Sequence, residues 1–285
     1  MKKPQWITTG IAVCLVLFLF QYGKILPPKK VGTPNLTSIL AVETIAIDSL
    51  LTEAKKFISK EQAERLSILE NNISKGDGNE QLLTIYHQLA HFWGDSARIF
   101  EPYAWYEAEA ARLENSEKNL TFAAHLFLEN LQADELPERR RWKALQAKDL
   151  FERSLQINPE NDSAKVGLGA CFIYGNISSS PMEGIGKILK VVEKDSANIY
   201  AQLTLAKGSM ISGQFDKAIT RLESVHRMKP ENLEAIMLLA DLYEGLKNNP
   251  NAISWYQKSL LLIKRQDIRE EIEKRINALK KGKKD

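Results

Sequence analysis

Signatures of reactive chemistry are scarce in this chain of 285 residues. It has no glycine-rich phosphate loop, no Gly-x-Ser-x-Gly motif and no Cys-x-x-Cys pair, and Gly167-Leu168-Gly169 lies in a helical pattern that indicates packing. The two cysteines, Cys14 and Cys171, lie in an apolar N-terminal stretch and a helical segment, so they do not pair and indicate no redox compartment. The net charge of +3 is too small to indicate a broad nucleic-acid surface.

What the sequence does contain is a repeat in its C-terminal half. One copy has Ala201, Leu205, Ala206, Gly213, Ala218, Leu222 and Pro230, and the next has Ala235, Leu239, Ala240, Tyr243, Ala252 and Tyr256. The equivalent leucines and alanines are 34 residues apart, and within a copy they share one helix face. This period and pattern resemble the tetratricopeptide repeat (TPR), a pair of helices that cross closely at small residues.

The resemblance extends upstream with less regular spacing. A copy beginning near Leu120 contains an inserted segment, Gln132–Trp142, and a weaker copy begins near Tyr86. The resemblance therefore implies an all-α fold, a right-handed TPR solenoid of about five repeats over residues 80–265. A generic helical bundle is the alternative, but repetition at a fixed period argues against it. The clearest copies are residues 162–195, 199–232 and 233–264.

Residues 1–24 are predicted to form a single N-terminal transmembrane helix, a signal-anchor. Residues 6–22 carry no charge, are just long enough to span a bilayer, and follow Lys2 and Lys3. A cleaved signal peptide is the alternative, although no small-x-small cleavage site follows the apolar run. Because a short basic N-terminus usually stays in the cytoplasm, we expect a single-pass protein of the inner or plasma membrane with a periplasmic soluble domain.

Three further segments complete the predicted organisation. Residues 25–42 form a proline-containing linker, and residues 43–79 form a helical cap whose second helix begins at a capping-box pair, Ser59 and Gln62. Residues 266–285 combine an amphipathic capping helix with a basic tail. We interpret that tail as solvated rather than as a contact for nucleic acid or anionic lipid.

The resemblance also implies where a partner binds, because the first helix of each TPR lines a concave groove. The expected groove residues of this chain are His87, His91, His125, Tyr200, Leu203, Lys207, Met210, Met237 and Asp241. This groove is expected to be apolar at its centre, around Leu203 and Met210, and acidic at its C-terminal end. Apolar residues replace the inward lysines and asparagines of chaperone-tail clamps, so a segment with apolar side chains is the expected ligand.

Three of the four histidines are expected to meet in this groove. His87 and His91 are four residues apart on one helix, and His125 occupies the repeat position of His91. Such a cluster suits a metal ion or a pH response, but no general base stands at a recognisable spacing. We therefore predict no cofactor, no metal and no enzyme activity. The aromatic residues at positions 92, 93, 103, 105 and 106 are attributed to core packing, with stacking on a ligand as the alternative.

These patterns favour a membrane-anchored, non-catalytic scaffold or adaptor. It would bind other proteins or peptide segments through the groove, and neither nucleic acid nor a small-molecule substrate. A permanent structural subunit of a membrane-associated assembly complex, held through the convex face or the arginines at 139–141, is the second hypothesis. A metal-dependent enzyme that uses the groove histidines is the third.

Overall fold

A computed structural model describes residues 45–73, 78–177 and 181–282 of the chain. The chain divides into two units, Met1–Glu43 and Thr44–Asp285, and the fold presented below belongs to the second. The predicted anchor at residues 6–22 and the linker at 25–42 lie outside the described residues. None of the described helices is both long enough and apolar enough to cross a bilayer.

The described part of the second unit is helical, and no strand occurs in it, as the sequence predicted. A 3₁₀ turn, Lys55–Phe57, extends the first of its thirteen α-helices, and a π-helical turn, Phe92–Ala97, extends the third. In chain order the helices are α1 (Ile47–Ala54), α2 (Lys60–Ile73), α3 (Asn79–His91), α4 (Phe100–Glu114), α5 (Glu117–Leu131), α6 (Pro137–Ile157), α7 (Asp162–Tyr174), α8 (Met182–Lys194), α9 (Ile199–Ile211), α10 (Phe215–Met228), α11 (Leu233–Gly245), α12 (Asn249–Leu260) and α13 (Gln266–Lys281).

Consecutive helices pair into hairpins, and the hairpins stack in chain order. The pairs are α3–α4, α5–α6, α7–α8, α9–α10 and α11–α12, and the two helices of each pair pack more extensively with each other than with other helices. The second helix of each pair then packs against the next helix along the chain. First helices of neighbouring pairs also touch, α5 with α7 and α7 with α9. This nearest-neighbour arrangement is a TPR-like solenoid.

Asparagine caps determine where the later first helices begin. The side chains of Asn161, Asn198 and Asn232 accept hydrogen bonds of 2.9, 2.9 and 2.8 Å from the backbone N–H three residues on. They stand at the N-caps of α7, α9 and α11, where the first backbone N–H groups have no partner inside the helix. Alanine is the residue that donates in all three cases, so Asn-x-x-Ala is a second repeat signal in the sequence.

Glycine allows the closest crossing, between α7 and α8. A Cβ atom on Gly169 would lie 2.7 Å from the carbonyl oxygen of Gly184, and one on Gly184 would lie 2.3 Å from the carbonyl oxygen of Gly169. On the other side of α7, a Cβ atom on Gly167 would lie 2.2 Å from Cζ of Phe151. The prediction that the Gly167–Gly169 segment serves helix packing is therefore confirmed.

The prediction of an inserted loop at Gln132–Trp142 is wrong. Helix α6 begins at Pro137, so the arginines at 139–141 lie in its first turns and only a short turn precedes them. Arg139 and Arg140 hydrogen-bond to the side chain and the carbonyl oxygen of Asp134, and Arg141 donates to the carbonyl oxygen of Asn176 at 2.8 Å. The proline begins a helix because its missing N–H costs nothing in the first turn.

A buried ionic cluster fixes the start of α6 against α4. The side chains of Lys143 and Asp134 are 2 % and 1 % exposed, and their Nζ and Oδ2 atoms are 2.6 Å apart. The same ammonium group lies 2.8 Å from Oε1 of Glu101 and donates to Oδ1 of Asn130 at 2.6 Å. Burial alone would raise the pKa of Asp134, but hydrogen bonds from Arg139 and Lys143 outweigh it and hold that pKa below its usual range.

The two ends of the described unit carry the helices that the sequence indicated there. The Ser59 hydroxyl accepts a 3.1 Å hydrogen bond from the Gln62 N–H, and the Gln62 side chain accepts a 2.9 Å bond from the Ser59 N–H. This reciprocal pair is the predicted capping box, and it starts α2. At the other end, Ile272 and Ile276 of α13 are buried against the last hairpin, in a cluster that includes Tyr256.

Candidate functional site

The nine residues predicted to form the groove all lie on the first helices of the hairpins, and their shared surface is called the groove face here. They are His87, His91, His125, Tyr200, Leu203, Lys207, Met210, Met237 and Asp241. Polar contacts join neighbouring first helices across it. His125 Nε2 lies 2.9 Å from the Ser163 hydroxyl oxygen, and the Lys207 ammonium group forms an ion pair with Glu234. These contacts bring α5 to α7 and α9 to α11.

Tyr200 fills the centre of the groove face. Its ring lies 5.6 Å from the His125 ring, centroid to centroid, although α7 stands between their two helices. Helix α7 presents only Ala170 at the repeat position of His125, and this small side chain leaves room for the contact. The His125 ring also meets Phe151 edge-on at 5.1 Å. Burial lowers the pKa of His125, so the imidazole is neutral at pH 7.

The Tyr200 hydroxyl is buried without a hydrogen-bond partner among the described residues. Burial raises the pKa of this phenol, and the nearby Cys171 and Tyr174 add to the effect. Leaving a buried hydroxyl unpaired is costly, so an acceptor that reached it from the groove would be stabilised. The Tyr200 ring, packed beside His125, occupies the middle of the groove face and leaves little room there for a large side chain.

Leu203 is not the open centre of the groove that the sequence predicted. It is 6 % exposed and packs in a core cluster with Ala206, Leu222 and Leu239 of neighbouring helices. Met210 is half-buried against the same cluster. Residue spacing within a helix predicts the side of the helix on which a side chain lies, but it does not predict the distance to the next helix. Here the neighbouring helices of this cluster bury the Leu203 side chain, so it offers little surface to a partner.

The carboxylates at the C-terminal end of the groove face also have partners within the chain. The Tyr256 hydroxyl oxygen lies 2.6 Å from a carboxylate oxygen of Asp241 and 2.6 Å from one of Glu244, and it donates its single proton to one of them at a time. The Arg275 guanidinium, from the capping helix α13, lies 3.3 Å from the Asp241 carboxylate and 2.6 Å from that of Glu244. The expectation of a free acidic end is therefore corrected, because Arg275 and Tyr256 of the same chain already pair with these carboxylates. Met237 is half-buried against the same terminal cluster.

The three histidines predicted to meet are divided between two environments. His125 faces α7 and α9, whereas His87 lies 3.8 Å from Glu114 and His91 Nδ1 lies 2.9 Å from the Asp95 carboxylate. Within the described ranges, no group of three or more histidine, cysteine or acidic side chains is arranged to hold a metal ion. A shared repeat position therefore did not make one cluster, because α5 turns His125 towards the following hairpins.

The N-terminal end of the groove face is its most exposed part. The His91 side chain is 75 % exposed and that of Asp95 is 79 % exposed. A cavity of about 410 Å³ opens beside them, and its wall includes Tyr103 and Glu107 of α4. Of the five aromatic residues attributed to packing, Phe92, Trp93 and Tyr106 are buried as predicted, whereas Tyr103 lines this cavity.

Sequence reasoning missed three residues, one each from a first helix, a second helix and the capping helix. They are Ser163 beside His125, Glu107 in the cavity and Arg275 at the C-terminal end. The Asn-x-x-Ala caps fix the register of α7 and place Ser163 two residues after the cap. No comparable signal marks Glu107 or Arg275, because each lies on an element whose register the 34-residue pattern does not set.

Comparisons with known proteins support the repeat and the fold. Residues 209–266 match the family model described as tetratricopeptide repeat. A crystal structure of a TPR protein from Parabacteroides merdae aligns with a TM-score of 0.53 at 16 % identity, over 82 % of this chain and 86 % of that chain.

More distant structural matches include MamA from Desulfovibrio magneticus and YrrB. MamA aligns with a TM-score of 0.43 at 19 % identity, over 65 % of this chain and 97 % of its own. YrrB, described as a TPR protein with an unusual peptide-binding site, gives 0.41 at 16 % identity, over 72 % and 97 %. No curated protein matches the chain. At these identities the structures establish the fold alone.

Proposed function

We propose that this chain is a non-catalytic scaffold that binds a polypeptide segment on the N-terminal part of the groove face. The observation that carries the proposal is the uneven covering of that face. Tyr200 fills its centre, and Arg275 caps its C-terminal end, while His91 and its neighbours remain exposed beside a cavity. A preformed concave surface with a few polar groups can hold an extended or helical segment without rearranging its helices.

The proposed mechanism is binding without a chemical step. The buried groups of the groove face are engaged in packing or in hydrogen bonds to neighbouring helices, as His125 is with Ser163. The arginines at 139–141, which suggested a permanent contact within a larger assembly, bond to groups of this same chain. The adaptor therefore has better support than the permanent structural subunit.

We also propose that residues 1–24 tether this scaffold to the inner or plasma membrane, with the helical unit on the periplasmic side. The support is the uncharged stretch of residues 6–22 behind two lysines, with Trp6 and Tyr22 at its ends as interfacial anchors. A tether of this kind confines the scaffold to the bilayer surface, which raises its effective concentration towards partners held there.

Site-specific photocrosslinking tests the groove proposal. A photoreactive residue replaces His91 in the full-length protein expressed in its host, and a matched probe replaces Glu193, an exposed residue on α8 outside the groove face. We expect discrete protein adducts from position 91 that are absent from position 193. Adducts of equal yield at both positions, or only at 193, would overturn the assignment of the binding surface.

Fractionation tests the tether separately. The full-length protein should stay with the membrane after alkaline extraction, and a variant lacking residues 1–24 should not. Externally added protease should digest the helical unit in spheroplasts with an intact inner membrane if that unit is periplasmic. Release of the full-length protein by alkali would contradict the proposed anchor. Complete protection from protease would contradict the proposed periplasmic orientation.

A further inference from the structure

A π-helical turn, wider than a turn of α-helix, forms part of the wall of the cavity at the N-terminal end of the groove face. After α3, the chain forms the π-helical turn Phe92–Ala97, and the carbonyl oxygen of Trp93 accepts from the N–H groups of both Arg98 and Ile99. Arg98 then takes a left-handed conformation with φ of 56°. Such turns are uncommon and recur at functional sites. The chain therefore departs from TPR geometry where the groove face is most open.

Gly94 keeps this cavity open on its α4 side. A Cβ atom at this position would lie 3.0 Å from Cδ2 of Tyr103, so any larger residue would press against the tyrosine ring. Tyr103 and Phe100 meet edge-on, with centroids 6.4 Å apart, and both line the cavity. At about 410 Å³ the space is within the size range of ligand pockets, and it holds one long side chain with part of its backbone.

Glu107 is the half-buried charged group in this cavity, and it lacks a partner among the described residues. It is half-buried on α4, and it makes neither a hydrogen bond nor an ion pair with any described residue, whereas Asp95 is paired with His91. Burial raises the pKa of Glu107, while His87 and His91 oppose the rise and Glu114 adds to it. A partly desolvated carboxylate without a donor gains from any cation that can reach it.

The cavity lining favours a cation over an anion. Two carboxylates line it, Asp95 and Glu107, with one guanidinium group, Arg98; the His91 imidazole in the lining is already paired with Asp95, which leaves the Glu107 carboxylate open to a cation. The two aromatic rings add their negative π faces, which attract ammonium and guanidinium groups. In such a lining the carboxylate can bind the charged head group of a long basic side chain, while the aromatic rings contact its aliphatic stem.

We propose that this cavity receives an arginine or lysine side chain of the polypeptide bound on the groove face. The head group hydrogen-bonds to Glu107, and the aliphatic stem lies against Tyr103 and Phe100. This inference rests on the proposed function and adds the chemistry of the partner, since it requires a basic residue within the bound segment. Arg98, at the exposed rim, then repels a second cation and limits the cavity to one.

A peptide selection tests the inference on the full-length protein purified in detergent. A phage-displayed library of short random peptides is selected on the wild type, and the dissociation constants of the recovered peptides are measured for variants. We expect at least one arginine or lysine at a fixed position of the recovered peptides. Glu107→Gln should weaken their binding by about 10- to 100-fold, because a hydrogen bond between charged groups is lost. Glu193→Gln, which removes the same charge from an exposed site outside the groove face, should leave binding unchanged.

The other outcomes separate failure of the cavity from failure of the groove. Peptides without a fixed basic residue that His87→Ala weakens and Glu107→Gln does not would keep the N-terminal part of the groove face as the binding surface and overturn the cavity assignment. Recovered peptides enriched in acidic residues, with binding lost in Arg98→Gln, would show that the cavity takes a negative side chain and would also overturn the cavity assignment. If no binding peptide is recovered, both the proposed peptide binding on the groove face and the cavity assignment are contradicted. Thermal melting of each variant shows that it folds, so a loss of affinity is a loss of contact.

Discussion

Two glycines on one helix offer the sharpest test of how this solenoid is held together. Gly184 and Gly186 both lie in α8, but a Cβ atom on Gly184 would meet the carbonyl oxygen of Gly169 at 2.3 Å and Cβ of Phe172 at 2.7 Å. Neither atom is the end of a flexible side chain, so α7 and α8 must separate. A Cβ atom on Gly186 would have nothing within 4 Å. The same substitution should therefore act in opposite directions two residues apart.

Overpacking of this kind costs about 1–3 kcal/mol, so Gly184→Ala should lower the free energy of unfolding by that amount. Gly186→Ala should raise it by about 0.5–1 kcal/mol, because alanine loses less backbone entropy in a helix. At about 2–4 °C per kcal/mol, the two melting temperatures should differ by roughly 3–16 °C in circular dichroism. Hydrogen exchange should show the change first in α7 and α8, because repeats couple only to their neighbours. A Gly184→Ala protein as stable as Gly186→Ala would refute the close crossing.

Two further predictions concern buried charge and pH. Lys143→Met removes an ammonium donor from the buried Asp134 carboxylate and should cost about 3–5 kcal/mol, or roughly 6–20 °C in melting temperature. Adding Asp134→Asn should recover part of that loss, and an unchanged melting temperature in Lys143→Met would contradict the cluster. The lowered pKa of His125 contributes stability that is present above its ordinary pKa of 6.5 and is lost as pH falls below it. His125→Gln should therefore flatten the fall in stability between pH 7.5 and 5.5, and a variant as steep as the wild type would exclude this histidine.

The regular part of the fold could be predicted because each signal was local. The 34-residue period gives the hairpins, and the apolar spacing within a copy gives the face that each helix buries. The asparagine caps fix the start of the last three first helices, and each acts on a backbone N–H only three residues away. Such local signals are reliable in a repeat protein because each repeat packs only against neighbouring copies of the same unit.

The groove was harder to predict because accessibility depends on the distance between helices. Leu203 lies on a first helix, as predicted, yet it is buried in a cluster with residues of neighbouring helices. Asp241 also lies on the predicted surface, but Arg275 reaches it from a helix outside the repeat. A pattern within one helix contains neither of these facts. Residues equivalent by repeat position therefore share a direction on their helices and differ in what stands in front of them.

The buried cluster shows the same limit for charge. The run Arg139-Arg140-Arg141 and the nearby Lys143 have the composition of a solvated surface segment. Burial of the Lys143 side chain is stable only because Glu101, Asp134 and Asn130 supply oxygen partners from three other places in the chain. The sequence shows each of these residues but not their convergence, and without it a buried ammonium group would be costly.

The covering of the groove face also ranks its two ends as binding surfaces. A segment that engages Asp241 or Glu244 must first displace Arg275 and Tyr256; the hydrogen bond from the buried Tyr256 hydroxyl to a carboxylate is worth about 1.5–3 kcal/mol, and the exposed Arg275 ion pair adds about 0.2–1 kcal/mol. A segment that engages Glu107 displaces no protein donor. For equal contacts made on binding, the N-terminal end is therefore favoured by about 10- to 100-fold for each charged hydrogen bond kept intact. Selectivity for one end of the solenoid then follows from how the chain pairs its own carboxylates, and it needs no difference in the shape of the two ends.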